Sequence, residues 1–132
     1  MKVLLDTNIC IAVMRGNAKA VARMAAMAPG ECSVSTISVF ELFVGVGKCA
    51  APNIERAKVM RFLAPLRIVA FDDTAAMRAG QLRADLERTG NACGPYDILL
   101  AAHALTLGLT VITHNTDEFR RVDGLTLDDW LI

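Results

Sequence analysis

Short apolar runs alternate along the chain with longer segments that carry apolar residues at helical spacing. Four runs are typical of short buried strands, namely KVLLD, CSVST, LRIVAF and LTVIT, and a last short strand is expected near LTLDDW. Strands that alternate with helices build a mainly parallel sheet with helices on its faces. The pattern therefore predicts an α/β fold with a central sheet of four to five strands.

The segments between these runs predict the helices. We expect helices over residues 9–15, 17–27, 38–45, 53–63, 72–88 and 95–107. Thr7 or Asn8 is expected to cap the first helix. Ser38 and Glu41 match the SxxE capping box, so they are expected to open the third.

Length and composition point to one domain with an apolar contact surface. The 132 residues suit a single domain over residues 1–132, since domains cluster near about 100 to 150 residues. Hydrophobic residues make up 54% of the chain and its mean hydropathy is +0.40, which favours an oligomer or a tight partner. Fourteen Lys and Arg balance fourteen Asp and Glu, so any site for a polyanion must be local.

The cysteines and the apolar stretches indicate a cytoplasmic protein without a membrane segment. Four cysteines are scattered without a CxxC pair, so we expect reduced, packed thiols rather than a structural zinc site. Residues 98–116 carry no charge, but Gly108 divides this stretch and His103 interrupts it, so we expect buried core. The apolar run near the N-terminus is too short for a signal peptide.

Several polar residues follow predicted strands or open predicted helices. Asp6 ends the first strand, and Glu41 lies at the start of the helix after the second. Asp97 lies at the start of the helix before the fourth strand, and Asn115 and Glu118 follow that strand. In right-handed βαβ units these positions all lie at the edge formed by the carboxyl ends of the strands. The sequence therefore predicts that these side chains gather at one edge of the sheet.

Each acid alone could be a helix cap or a first-turn acid that interacts with the helix dipole. Capping does not require convergence, however, and carboxylates brought close together repel one another unless a cation or protons separate them. Mg²⁺ and Mn²⁺ bind carboxylate and water oxygens and leave coordination positions for a phosphate. A metal-assisted nuclease uses such a site to activate water and to stabilise the leaving oxygen.

The chain resembles a known family in four stretches, LLDTNICIAV, SVSTISVFELFVGV, GPYDILLAAHALTLGLTVITHN and EFRRVDGLTLDDW. In this order they resemble the PIN-domain ribonucleases, specifically the VapC toxins of bacterial toxin-antitoxin pairs, over essentially the whole chain. The resemblance implies catalytic roles for Asp6, Glu41 and Asp97, with the metal held chiefly by Asp6 and Asp97. It further implies a Mg²⁺- or Mn²⁺-dependent endoribonuclease that inhibits translation. The expected partners are a second copy of the chain, a VapB antitoxin and, only through the antitoxin complex, operator DNA.

The chain departs from the family pattern after the fourth strand. Many relatives carry a fourth acid there in a TxD pattern, whereas this chain reads Thr113, His114, Asn115. Asn115 could hydrogen-bond a metal-bound water, and Glu118 could supply the missing charge one turn later. Further site candidates are the cap-type residues near the expected metal: Thr7, Asn8 and Ser38. Relatives of this type cut transfer RNA, with the anticodon loop of initiator tRNA a plausible target, or ribosomal RNA.

Two other functions fit the same fold class. A receiver-like phosphoacceptor domain could use Asp72, but it needs an acid pair after the first strand and a lysine after a late strand. The acid pair is missing, because Asp6 is followed by Thr7 and Asn8. The lysine is missing too, because none of the four lysines follows a late strand. A non-catalytic binding module would share the scaffold and would fail to bind Mg²⁺.

Overall fold

The computed structural model describes residues 1–132, which form five strands and seven helices. The strands are β1 (Val3–Leu5), β2 (Cys32–Ser35), β3 (Arg67–Val69), β4 (Thr110–Ile112) and β5 (Leu127–Asp128). The helices are α1 (Thr7–Met14), α2 (Ala18–Ala25), α3 (Thr36–Lys48), α4 (Pro52–Leu63), α5 (Asp73–Arg88), α6 (Pro95–Leu107) and α7 (Thr116–Phe119). Every predicted strand and helix is present, and α7 is an addition. The α/β prediction is confirmed.

The five strands form one parallel sheet in the order β3-β2-β1-β4-β5. Leu4 of the central strand lies opposite Ser33 of β2 on one side and Val111 of β4 on the other. Because all five strands run in the same direction, their carboxyl ends form a single edge. The residues that follow the strands are therefore neighbours in space, although they are far apart in sequence.

Apolar side chains cover both faces of the sheet. Neighbouring strand residues point to opposite faces, so Val3 and Leu5 join a cluster with α1 to α4, while Leu4 joins a cluster with α5 and α6. The uncharged stretch 98–116 supplies much of the second cluster, including Leu100, which confirms that it is buried core. No helix combines the length and the apolar character that crossing a bilayer would require.

Helix α1 begins directly at the end of β1. Asp6 is its cap, because Asp6 Oδ1 accepts a hydrogen bond from the Ile9 N–H at 2.9 Å. The prediction that Thr7 or Asn8 caps this helix is therefore wrong, whereas the alternative that the acid Asp6 is a helix cap is confirmed. All three residue types are good caps, and the chain turns into the helix at the first of them.

Helix α3 also begins earlier than predicted. Ser35 is its cap, and Ser35 Oγ accepts a hydrogen bond from the Ile37 N–H at 3.1 Å. Ser38 and Glu41 consequently lie inside the helix, and the predicted SxxE capping box is wrong. Their side chains are free for another purpose.

The buried central strand gives a test of this core. Leu5→Ala should lower the free energy of unfolding by about 2 to 5 kcal/mol, because Leu5 is fully buried and a cavity would remain. Ile68→Ala in edge strand β3 is the matched control: Ile68 is half exposed, so a loss of about 1 kcal/mol or less is expected. Urea unfolding followed by circular dichroism measures both, and equal losses would contradict this arrangement.

Candidate active site

The three acids predicted to be catalytic converge at the carboxyl edge of the sheet. Asp6 follows β1, Glu41 lies in the second turn of α3, and Asp97 lies in the first turn of α6. The charge of Asp6 acts on Asp97, and the charge of Glu41 acts on Asp6. None of the three forms an ion pair with a Lys or Arg. They form a pocket of negative charge, called the acid pocket below.

Asp6 lies at the floor of the acid pocket. Its residue is only 5% exposed, and its carboxylate accepts a hydrogen bond from the Ile9 N–H at 2.9 Å. Burial raises the pKa of Asp6 above its ordinary value, and the charges of Glu41 and Asp129 raise it further, against the lowering effect of the Thr113 hydroxyl and the Ile9 N–H. The folded protein therefore carries an electrostatic cost here.

Glu41 is held by the Thr7 hydroxyl, which Ser38 contacts in turn. The Thr7 Oγ1 donates to Glu41 Oε1 at 2.7 Å and lies 3.1 Å from Ser38 Oγ. Thr7 has a single hydroxyl hydrogen, so Ser38 is the donor in the second contact. The structure thus brings Thr7 and Ser38 to the acids, where they orient the carboxylate of Glu41.

Asp97 is oriented by the loop after β4. The Asn115 Nδ2 donates to Asp97 Oδ2 at 3.0 Å. Burial and then the neighbouring charge of Glu118 raise the pKa of Asp97 to about 6, with a further contribution from Asp6. A cation bound beside Asp97 would favour the negatively charged carboxylate and so keep this group fully ionised.

Glu118 completes this side of the pocket. The same Asn115 amide donates to Glu118 Oε2 at 2.7 Å, and the Gly94 N–H donates to Glu118 Oε1. These two donors lower the pKa of Glu118, so it stays ionised beside Asp97. A Cβ at position 94 would lie 3.1 Å from Glu118 Oε1, so glycine permits the close approach. The structure therefore brings both secondary candidates, Asn115 and Glu118, to the site.

One candidate lies apart, and two site residues were not predicted. Asn8 is exposed, and its side chain makes no hydrogen bond to the acids. Thr113 and Asp129, at the ends of β4 and β5, both act on Asp6 and are both buried. The only sequence signal for Asp129 was its place in the segment DDW, at the end of the last predicted strand.

Comparison with known proteins identifies the fold family. The PIN domain family matches residues 3–125. The chain is 36% identical over 130 residues to the tRNA(fMet)-specific endonuclease VapC of Shigella flexneri, and 34% identical over 131 residues to Ribonuclease VapC2 of Haemophilus influenzae strain Rd. These alignments cover 98% and 99%, respectively, of both chains. The chain belongs to the PIN-domain family, in its VapC group.

The solved structure of DNA-bound VapBC from Salmonella typhimurium contains a chain that superposes on this PIN domain with a TM-score of 0.93. It shares 36% identity, and the match covers 98% of each chain. The receiver-like alternative is thereby wrong. Asp72, its expected phosphoacceptor, caps α5 by accepting a hydrogen bond from the Ala75 N–H at 2.9 Å.

The donor set of this PIN domain suits a hard divalent cation. Asp6 and Asp97 offer carboxylate oxygens that no cationic side chain occupies. No three Asp, Glu, His or Cys side chains are close enough to hold one ion together. Mg²⁺ does not require three, because it commonly uses one or two carboxylates and keeps several waters. The pair Asp6 and Asp97 therefore fits such an ion.

The raised pKa of Asp97 predicts a pH-dependent stability difference. Its folded value of about 6 exceeds the ordinary value of 3.8, so the folded protein binds an extra proton between these values. The stabilisation from this group is present below about pH 4 and is lost as the pH rises through 6. In metal-free buffer, Asp97→Asn should melt at a higher temperature than the wild type at pH 7.5, and the difference should shrink towards pH 4.

Thermal unfolding with EDTA, followed by circular dichroism, measures this effect. Asp117→Asn is the control, because the Asp117 side chain is 93% exposed and forms only a surface pair with Arg120. A wild type that is more stable than Asp97→Asn at pH 7.5 would show that repulsion in the acid pocket carries no cost.

Proposed function

We propose that this VapC-group protein is a metal-dependent endoribonuclease that cleaves phosphodiester bonds of tRNA and thereby inhibits translation. The observation that carries the proposal is the convergence of Asp6, Glu41 and Asp97 in one pocket without a cationic partner. Such a pocket attracts a divalent cation, and the cation in turn attracts the phosphate that the acids alone would repel. Its place of action is the cytoplasm, where tRNA is found.

The residues of the acid pocket have different roles in the proposed reaction. Asp6 and Asp97 would hold Mg²⁺ or Mn²⁺, which supplies charge neutralisation at the phosphate and acidifies water. Glu41 Oε1 accepts the Thr7 hydrogen bond, while Glu41 Oε2 has no protein partner and accepts a proton from the attacking water. Asn115 keeps the carboxylate of Asp97 in place through its amide hydrogen bond.

Initiator tRNA is the substrate that we propose. Support comes from the relative in Shigella flexneri, which is named a tRNA(fMet)-specific endonuclease and aligns with 98% of this chain. The balanced charge of the chain agrees with recognition of a local feature, such as a loop, rather than of a long polyanion.

A VapB-type antitoxin is the partner that we propose, since similar solved structures are VapBC complexes, some of them bound to DNA. A groove of about 540 Å³ runs from Glu41 between α1, α3 and α4, with apolar side chains such as Ile11, Met14 and Val59 along it. An amphipathic antitoxin segment placed there would reach the acid pocket. Operator DNA would then contact the antitoxin, not this chain.

A homodimer is the assembly that we propose. Phe40 and Val44 of α3 and Tyr96 of α6 expose 52%, 38% and 43% of their surface, and the Phe40 and Tyr96 rings lie 5.8 Å apart. Exposed aromatic side chains grouped in this way are typical of an interface.

Cleavage of RNA is the decisive test of the activity. The wild type should cleave an initiator tRNA transcript with Mg²⁺ or Mn²⁺ and should stop when EDTA is added. Asp6→Asn and Asp97→Asn should each reduce the rate by more than about 100-fold, beyond the loss typical of residues that only support a metal ligand. Sequencing the RNA ends locates the cut, and circular dichroism verifies the fold of each variant.

Asp117→Asn serves as the control, because it removes an exposed acid outside the pocket. A wild type that cleaves no RNA would favour the non-catalytic binding module. Undiminished cleavage by Asp6→Asn or Asp97→Asn would disprove the assignment of the site.

The dimer has a separate test. Phe40→Glu should convert a dimer into a monomer, because it places a charge in the exposed aromatic group. Met60→Glu is the matched control: Met60 is equally exposed at 52%, but lies on α4. Light scattering after size-exclusion chromatography measures the mass of each, and a Phe40→Glu variant that remains dimeric would place the interface elsewhere.

A further inference from the structure

His114 and Asp129 form a hydrogen-bonded pair that the proposed chemistry does not use. The His114 Nδ1 lies 2.8 Å from Asp129 Oδ2. The Asp129 side chain is 8% exposed, whereas the His114 side chain is 62% exposed. One end of the imidazole ring is therefore anchored in the protein and the other faces solvent.

The pair stands at the carboxyl edge of the sheet because β4 and β5 end together. Ile112 of β4 lies opposite Asp128 of β5. The Thr113 N–H donates to the Asp128 carbonyl oxygen at 2.9 Å. The next residue on each strand end, His114 and Asp129, can then meet side by side.

The residues on either side of His114 belong to the acid pocket. The Thr113 hydroxyl lies close enough to Asp6 to lower the pKa of its carboxyl. Asn115 donates a hydrogen bond to Asp97 at 3.0 Å. His114 thus stands between two residues that act on the proposed metal ligands, at the rim of the pocket.

Hydrogen bonding decides which nitrogen of the ring is available. Asp129 Oδ1 accepts from the Leu131 N–H at 2.8 Å, and Asp129 Oδ2 faces His114 Nδ1. A carboxylate only accepts hydrogen bonds, so Nδ1 carries a hydrogen and Nε2 lies on the opposite side of the ring. Nε2 has no hydrogen-bond partner in the protein.

We propose that His114 Nε2 contacts the RNA backbone beside the acid pocket and that Asp129 positions the ring for this contact. This inference rests on the proposed ribonuclease function. With its hydrogen on Nδ1, the imidazole accepts at Nε2, so the group of the RNA backbone that suits this nitrogen is a 2′-hydroxyl, which can donate a hydrogen bond. The competing explanation is that the pair only ties the segment around Leu131 to the sheet.

Steady-state cleavage of an initiator tRNA transcript in Mg²⁺ tests the contact. His114→Ala should raise KM about fivefold to tenfold, as expected for one lost hydrogen bond between neutral groups, and should change kcat by less than about threefold. His114→Gln should restore part of the affinity, because its amide can replace Nε2. Asp129→Asn should also raise KM, because an amide donor facing Nδ1 would reverse the placement of the ring hydrogen.

The double variant separates positioning from independent roles. If Asp129 acts through His114, then His114→Ala with Asp129→Asn should raise KM no more than His114→Ala alone. Asp117→Ala, which changes an exposed side chain three residues later in α7, is the matched control and should leave KM unchanged. The melting temperature of His114→Ala should equal that of the wild type, since the ring is mostly exposed.

Nuclear magnetic resonance offers a second readout, because the chain has only two histidines. Adding the tRNA transcript to the Asp97→Asn variant should shift the imidazole signals of His114. The signals of His103 should stay in place, because His103 is buried and bonded to Ser35 Oγ at 3.0 Å.

Three results would overturn the inference: a KM for His114→Ala within twofold of the wild type, a loss confined to kcat, or additive effects in the double variant. If Asp129→Asn does not fold, His114→Ala alone decides. Wild-type cleavage with an unchanged KM for His114→Ala counts against this contact only, whereas absence of wild-type cleavage counts against the ribonuclease function and this inference together.

Discussion

Electrostatic repulsion among carboxylates at the carboxyl edge of the sheet is the constraint that the structure accommodates. Asp6 follows the central strand β1. The neighbouring strands and both apolar clusters hold β1 in place, so the carboxylate of Asp6 stays at this edge. Glu41 and Asp97 are brought to the same place by helices that pack on that sheet. Burial first, and then the charges of the neighbouring acids, raise the pKa values of Asp6 and Asp97.

The carboxylates are held by neutral donors rather than by cations. Hydroxyl, amide and backbone N–H groups orient them: Thr7, Asn115, Ile9 and Gly94. Such donors fix the direction of a carboxylate while leaving its negative charge in place. An Arg or Lys in the same positions would fix the side chains equally well but would compete with a metal ion. The choice of donors therefore preserves the attraction for a divalent cation.

Much of this site follows from the sequence through topology. A parallel sheet collects the residues after its strands, and this rule placed Asp6, Asp97 and Asn115 correctly. The same rule placed Glu41 at this edge, although Glu41 lies in the second turn of α3 rather than at its start, because α3 begins at Thr36. The two-residue strand β5 has too little pattern to show where Asp129 would lie.

Side-chain direction is the part that strand patterns do not carry. Thr113 ends a β-branched run and is indistinguishable in sequence from an ordinary strand residue, yet its hydroxyl supports Asp6. Asn8 has the right chemistry, but its position on α1 turns it towards solvent. Contacts of this kind depend on the exact rotation of a helix or strand, which is fixed by packing across the whole sheet.

Asp6 has two roles, as the cap of α1 and as a proposed metal ligand, and only the second requires its negative charge. As a cap it needs only an oxygen facing the Ile9 N–H, and an asparagine provides one equally well. As a metal ligand it needs its negative charge, which asparagine lacks. The two roles can therefore be separated at a single position, because replacing the carboxylate by an amide removes the crowding at the sheet edge while keeping the start of α1.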